Sequence, residues 1–97
     1  MNRSALAAAG PDEPLAASLE EAARVACLRG AAVAGAELAD LAIRLTPVDL
    51  VAARVRRLLE AGRLHLAAFD PEGARDLLEQ AINDEFLGAS PAASSVN

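Results

Sequence analysis

Asp70-Pro71-Glu72-Gly73-Ala74-Arg75-Asp76-Leu77-Leu78-Glu79-Gln80-Ala81 carries the plainest helix signal in the chain. It opens with the chemistry of a helix start. An Asp can accept from a free backbone N–H, and the Pro that follows lacks an N–H that the first turn could not use. Glu72 adds negative charge where the helix dipole favours it. Ala74, Leu77, Leu78, Ala81 and Ile82 then recur three and four residues apart, which sets them on one helical face that Phe86 and Leu87 can extend.

Upstream, Thr46-Pro47-Val48-Asp49 repeats the same start, with Thr46 as cap, Pro47 in the first position and Asp49 as the acid reaching back. It predicts a helix to about Ala68 with Val51, Val55, Leu58, Gly62, His65 and Phe69 on one face. Gly62 inside that helix costs about 1 kcal/mol relative to Ala, and close approach of another backbone is the usual reason for keeping one. A second helix is expected from about Ala31 to Leu45, with the stripe Ala34, Leu38, Leu41, Ala42 and Leu45. Glu37, Asp40 and Arg44 take its other face, Asp40 and Arg44 as a favourable i,i+4 pair. A first helix runs from Pro14 to Arg29 on Leu15, Leu19, Ala22 and Ala26, and Gly30 stops it. Residues 1–12 read as a loose lead-in, 13–87 as one helical-repeat domain, and the small, polar 88–97 as a disordered tail. Period-two alternation never persists, so the expected class is all-α: four antiparallel helices as two stacked hairpins.

Composition narrows what such a domain can do. Of 97 residues, 54% are apolar but only 2% aromatic, both Phe. Area scaling lets a chain of this size bury about 64% of its surface. A core of Ala, Leu and Val gains less per residue than one holding Trp or Tyr, so independent stability is thin. The net charge of -5 argues against a broad nucleic-acid footprint. All nine basic residues are Arg. A single cysteine cannot close an internal disulfide, no apolar run reaches the roughly 18 residues of a membrane span, and the first ten residues make a poor signal peptide. A cytoplasmic protein is expected.

The chain also repeats. Displaced by 39 residues, Glu21, Ala22, Arg24, Leu38, Ala42 and Ile43 fall on identical Glu60, Ala61, Arg63, Leu77, Ala81 and Ile82. The two halves are therefore two copies of one hairpin, and two copies are fewer than the three a stacked repeat usually needs.

Gly62 and Ala74, twelve apart, followed by Leu78 and Ala81, resemble the small and large packing positions of a tetratricopeptide repeat. In the first half Leu19, Ala22, Ala23, Ala26, Gly35, Ala39 and Ala42 match, with Pro47 closing the unit; Leu58, His65 and Leu78 replace the family's large aromatics. A narrower resemblance rests on Ala36-Glu37-Leu38-Ala39-Asp40-Leu41-Ala42-Ile43-Arg44-Leu45-Thr46-Pro47 followed by Phe69 to Ala81. These segments are similar to the helical sensor region of actinobacterial LuxR-type ATPase transcriptional regulators, over roughly residues 5 to 83. The flanking modules of that family are not seen: there is no phosphate-binding G-x-x-x-x-G-K-[ST] and no recognition helix, so ATPase and DNA-binding activity do not follow.

Candidate chemistry is sparse. His65 is the only histidine and reads as a packing residue with one hydrogen bond; Cys27 reads as a small buried apolar group. Ser4, Ser18, Thr46 and the tail serines assemble no nucleophile–base set, and the pairs Glu20-Glu21 and Asp84-Glu85 diverge around a helix. Neither enzymatic activity, a cofactor nor a metal is expected. Arg54, Arg56, Arg57 and Arg63 form the one basic cluster and read mainly as solvated charge. The tetratricopeptide resemblance implies that Arg24, Arg56 and Arg63 point into a concave groove, where guanidinium forks suit the carboxylates of a partner peptide. The function expected is a non-enzymatic interaction or scaffold module that contacts a protein or peptide and self-associates through its end faces. A truncated remnant without activity and a small DNA-binding regulator are the alternatives.

Overall fold

The computed structural model describes residues 10–88. It holds four α-helices, and no strand occurs among the described residues. Helix α1 spans Glu13–Leu28, α2 Ala32–Leu45, α3 Val51–Ala67 and α4 Pro71–Asn83, and a single π turn, Asp84–Gly88, follows. The all-α expectation holds.

Local chemistry accounts for most of these boundaries. Asp70 caps α4, its Oδ1 accepting from the Gly73 N–H at 3.1 Å, with Pro71 in the first turn. Asp12 does the same for α1, its Oδ1 accepting from the Leu15 N–H at 3.1 Å. Its own N–H donates to the Leu45 carbonyl at 2.8 Å, so Asp12, at the edge of the expected lead-in, fastens the chain entry to the far end of α2. Both hairpins turn through the same C-cap motif. In the first, the Gly30 N–H donates to the Cys27 carbonyl and the Ala31 N–H to Ala26; in the second, Phe69 donates to Leu66 and Asp70 to His65. The left-handed position of that motif is Gly30 at φ 86° in one turn and Phe69 at φ 62° in the other.

The start of α3 departs from expectation. Thr46 is not its cap; it closes α2 instead. Its hydroxyl donates to the Ala42 carbonyl at 2.7 Å and its N–H to Ile43 at 3.1 Å. The oxygen is then engaged by Arg57 and is not free to receive a helix N–H. Pro47 to Leu50 form a turn, the Leu50 N–H donating to the Pro47 carbonyl at 3.1 Å, and α3 begins at Val51 without a side-chain cap.

Contacts at small residues show that the two helices of each hairpin run antiparallel. A Cβ on Gly35, near the start of α2, would lie 3.0 Å from the Ala23 carbonyl oxygen and 3.4 Å from the Cys27 nitrogen, near the end of α1. A Cβ on Gly62, in the second half of α3, would meet the Ala74 oxygen and Leu78 in the first turns of α4 at 3.6 Å. The tightest backbone approach is thus at Gly35 and not, as expected, at Gly62. The two crossings are equivalent: Ala23 and Gly35 in one hairpin stand where Gly62 and Ala74 stand in the other.

The core lies between the hairpins, where Ala23, Ala36, Ala39 and Ile43 meet Leu58, Ala61 and Leu64. It is built from smaller residues than the expected stripes. α1 buries Ala16 and Ala23, while Ala22 is exposed; α2 buries Ala42 and Leu45 of its expected stripe together with Gly35, Ala36, Ala39 and Ile43, while Ala34 is exposed. On α4 only Ala74 and Ala81 of the expected stripe are buried, and Leu78 and Ile82 face solvent. Phe69, expected on the α3 face, is 93% exposed. The molecule is a slab of 46 × 31 × 18 Å, too thin to shield both outer faces of its helices.

Candidate interaction surface

Four features of the slab carry polar or apolar chemistry: a seam, a histidine knot, a groove and an end face.

The seam is organised by Arg57. Expected as solvated charge, it is 3% exposed. Its Nη1 and Nη2 donate to the two carboxylate oxygens of Glu13 at 2.7 and 2.8 Å, Nε donates to Glu20 at 3.0 Å, and Nη1 also reaches the Thr46 hydroxyl at 2.9 Å. One guanidinium from α3 therefore holds the start and middle of α1 and the end of α2. A fork pairing both oxygens of one carboxylate is the strongest geometry available to such a group. The Arg57 hydrogen bonds hold the Glu13 carboxyl below its ordinary range. For Glu20, burial opposes ionisation, but hydrogen bonds from Arg56 and Arg57 outweigh it and the net shift is downward. No buried side-chain polar atom among the described residues lacks a partner.

A second polar knot lies near the end of α3. His65 Nδ1 is 2.8 Å from Asp70 Oδ2, and Nε2 is 3.0 and 3.1 Å from the two oxygens of Asp40. Burial disfavours charging the ring, yet the bonds to Asp40 and Asp70 prevail and raise its pKa above the ordinary 6.5. The sequence showed one hydrogen bond for this residue; the fold supplies two carboxylates, one from a helix 25 positions away. Asp70 in turn is held low, by the Gly73 N–H first and then by His65. Gly73 leaves room for this knot, since a Cβ there would fall 2.2 Å from Asp70 Oδ2 and 2.9 Å from His65 Nδ1. Among the described residues no three His, Cys, Asp or Glu side chains are placed to hold a metal ion.

The groove brings together Arg24, Arg56 and Arg63. All three are exposed and line one depression of about 370 Å³ between α1 and α3, together with Glu20, Glu21 and Glu60. Each guanidinium is already paired with a carboxylate of the same groove: Arg24 with Glu21, Arg56 with Glu20, Arg63 with Glu60. A peptide carboxylate entering here displaces an existing partner, and exposed pairs of this kind contribute about 0–1 kcal/mol each. Arg54, the remaining member of the cluster, pairs with Asp84 at 2.6 Å.

The end face is apolar. Leu59 and Leu66 of α3, Leu78 and Ile82 of α4 and Phe86 in the π turn are all exposed, and the 39-residue register sets the first four at the places of Glu20, Cys27, Ala39 and Ile43 in the first hairpin. Sequence reading placed Leu78 and Ile82 in the core and passed over Leu59 and Leu66. The signal was present: they stand seven apart, two turns on one helical face, and the 39-residue register puts them where the first hairpin has Glu20 and Cys27. Cys27 itself is half-buried and packs against the core.

No family model matches the chain, and no curated protein or solved structure does either. Among the described residues no helix is long and apolar enough to cross a membrane.

Proposed function

We propose that this chain is a non-enzymatic protein-interaction module, a tetratricopeptide-like pair of hairpins related to the helical sensor region of LuxR-type regulators and working in the cytoplasm. It acts by burying an apolar end face against another folded surface. The observation that supports this reading is the uncovered cluster Leu59, Leu66, Leu78, Ile82 and Phe86. Contiguous apolar surface rimmed by polar residues marks association sites in small proteins. The arginine groove is a secondary contact, because its charges already have partners.

Light scattering across a concentration series tests the reading. Association that rises with concentration, and disappears in the Leu66→Asp/Ile82→Asp double variant while the helical circular dichroism persists, is the expected result. A stable helical monomer at every concentration reached would count against it.

A further inference from the structure

The end face becomes more informative when the two hairpins are compared position by position. Displaced by 39 residues, Glu13–Leu28 covers 52–67, against Val51–Ala67 for α3, and Ala32–Leu45 covers 71–84, against Pro71–Asn83 for α4. The C-cap motifs and the small-residue crossings coincide in the same register. Every position in one hairpin therefore has a structural counterpart in the other.

The first hairpin offers the second a receiving face. Ala39 and Ile43 are buried in it, and Glu20 is bonded to Arg57. Into it α3 inserts Arg57, Ala61 and Leu64; Arg57 and Leu64 close on Ala23, Ala39 and Ala42. The counterparts of the receiving residues are Leu59, Leu78 and Ile82, at the uncovered end of the second hairpin. The counterparts of the inserting residues are Ser18, Ala22 and Val25 on α1, of which Ser18 and Ala22 are exposed and Val25 half-buried. The molecule thus carries at its two ends the two halves of an interface that it makes once in its middle.

The two halves have also changed together. In the middle interface Arg57 meets Glu20. In the same register at the ends, Ser18 replaces the arginine and Leu59 the glutamate, so at this pair of positions neither side presents a charge without its partner. Arg75 stands at the place of Ala36, which is buried between the hairpins, so in an end-to-end contact its apolar stem has to lie within the contact while the guanidinium reaches out past its edge. We infer that a second copy of this chain covers the end face head to tail, α1 of one copy seated on α3 and α4 of the next as α3 is seated on the first hairpin. This rests on the interaction reading above and adds its partner and its geometry. Such a contact uses two different faces and leaves one of each free, so assemblies lengthen with concentration instead of stopping at a dimer.

Two variants, one per face, test it. Ala22→Arg blocks the inserting face and Leu66→Asp the receiving face; both side chains are exposed in the single chain, so helicity should be kept. Head-to-tail stacking requires each variant alone to be monomeric, and an equimolar mixture to form a dimer holding one copy of each. Sedimentation velocity, with circular dichroism on each variant, reads this directly. Ser18→Arg and Ile82→Asp repeat the experiment if either first choice unfolds. If Ala22→Arg associates like the parent while Leu66→Asp does not, the contact pairs two receiving faces; this inference then fails and the interaction reading stands. If the unaltered chain is itself a monomer, both fail.

Discussion

The two helix crossings predict opposite responses to the same chemical change. Adding a methyl group at Gly62 relieves the propensity cost of glycine in a helix, about 1 kcal/mol. It also places one carbon in ordinary contact, 3.6 Å from the Ala74 oxygen and from Leu78, which adds roughly 0.8 kcal/mol of buried apolar surface. Gly62→Ala is therefore expected to stabilise the fold by about 1–2 kcal/mol. At Gly35 the same methyl group meets the Ala23 oxygen at 3.0 Å and the Cys27 nitrogen at 3.4 Å. Both are helix backbone, so neither can swing aside and α1 must move from α2. Overpacking of this kind costs about 1–3 kcal/mol against a propensity gain of about 1, leaving an expected net loss of about 1 kcal/mol for Gly35→Ala. Urea unfolding followed by far-ultraviolet circular dichroism, at protein concentrations where self-association does not contribute, measures both. A Gly35→Ala chain as stable as the parent, or a Gly62→Ala chain less stable, would refute the packing argument.

Other substitutions probe the polar knots and the second turn. Arg57→Ala removes the buried guanidinium, leaves Glu13 without its fork and leaves Glu20 with Arg56 alone; urea titration should show a loss of about 2–4 kcal/mol, and a loss under 1 kcal/mol would mean that the seam is held by its apolar contacts alone. Because the pKa of His65 is raised in the fold, its contribution is complete below the ordinary 6.5 and fades as pH climbs through the folded value. Melting temperature should decline over that alkaline interval in the parent and stay level there in His65→Gln. Phe69→Gly should raise stability by about 0.5–1 kcal/mol, since a left-handed conformation strains an L-residue, glycine has more freedom to lose, and the ring buries nothing here. Thermal melts that place Phe69→Gly below the parent would show that the ring has a contact within the fold.

Helix number, order and most boundaries were legible in the sequence because they depend on local chemistry. Asp70-Pro71 and Gly30 act through groups within four residues of themselves, and those groups travel with them. Thr46 misled because a Thr-Pro pair suits either end of a helix; a distant guanidinium, from Arg57, helps to decide which. The buried faces were misplaced by a residue or two for a related reason. Reading by size favours leucines, whereas helices packed this closely bury Ala16, Ala23, Ala36 and Ala39 and leave larger side chains outside. The groove of Arg24, Arg56 and Arg63 could be anticipated because the repeat register places Arg24 and Arg63 in equivalent positions. That each of them already faces a glutamate was half visible, in the three-residue spacing of Glu21 and Arg24 and of Glu60 and Arg63. The pairing of Glu20 with α3 needs the fold, since 36 residues separate it from Arg56.

The Arg57 seam and the His65 knot fail at opposite ends of the pH scale. The carboxylates on Arg57 have lowered pKa values, so their contribution is complete above the ordinary 4.5 and disappears as acid protonates them through their folded values. The charge on His65 is complete below the ordinary 6.5 and is lost as pH climbs through its folded value, whereas Asp70, with its lowered pKa, gives up its share of the knot only in stronger acid. Acid strong enough to protonate Glu13 and Glu20, below their ordinary range, therefore weakens the tie between the first hairpin and α3 and leaves their apolar contacts in place. A rise in pH through the folded value of His65 takes one N–H from the Asp40–His65–Asp70 tie and leaves the hairpins joined at Arg57. The same small protein has two ways to begin coming apart, and the proton concentration selects which joint opens first.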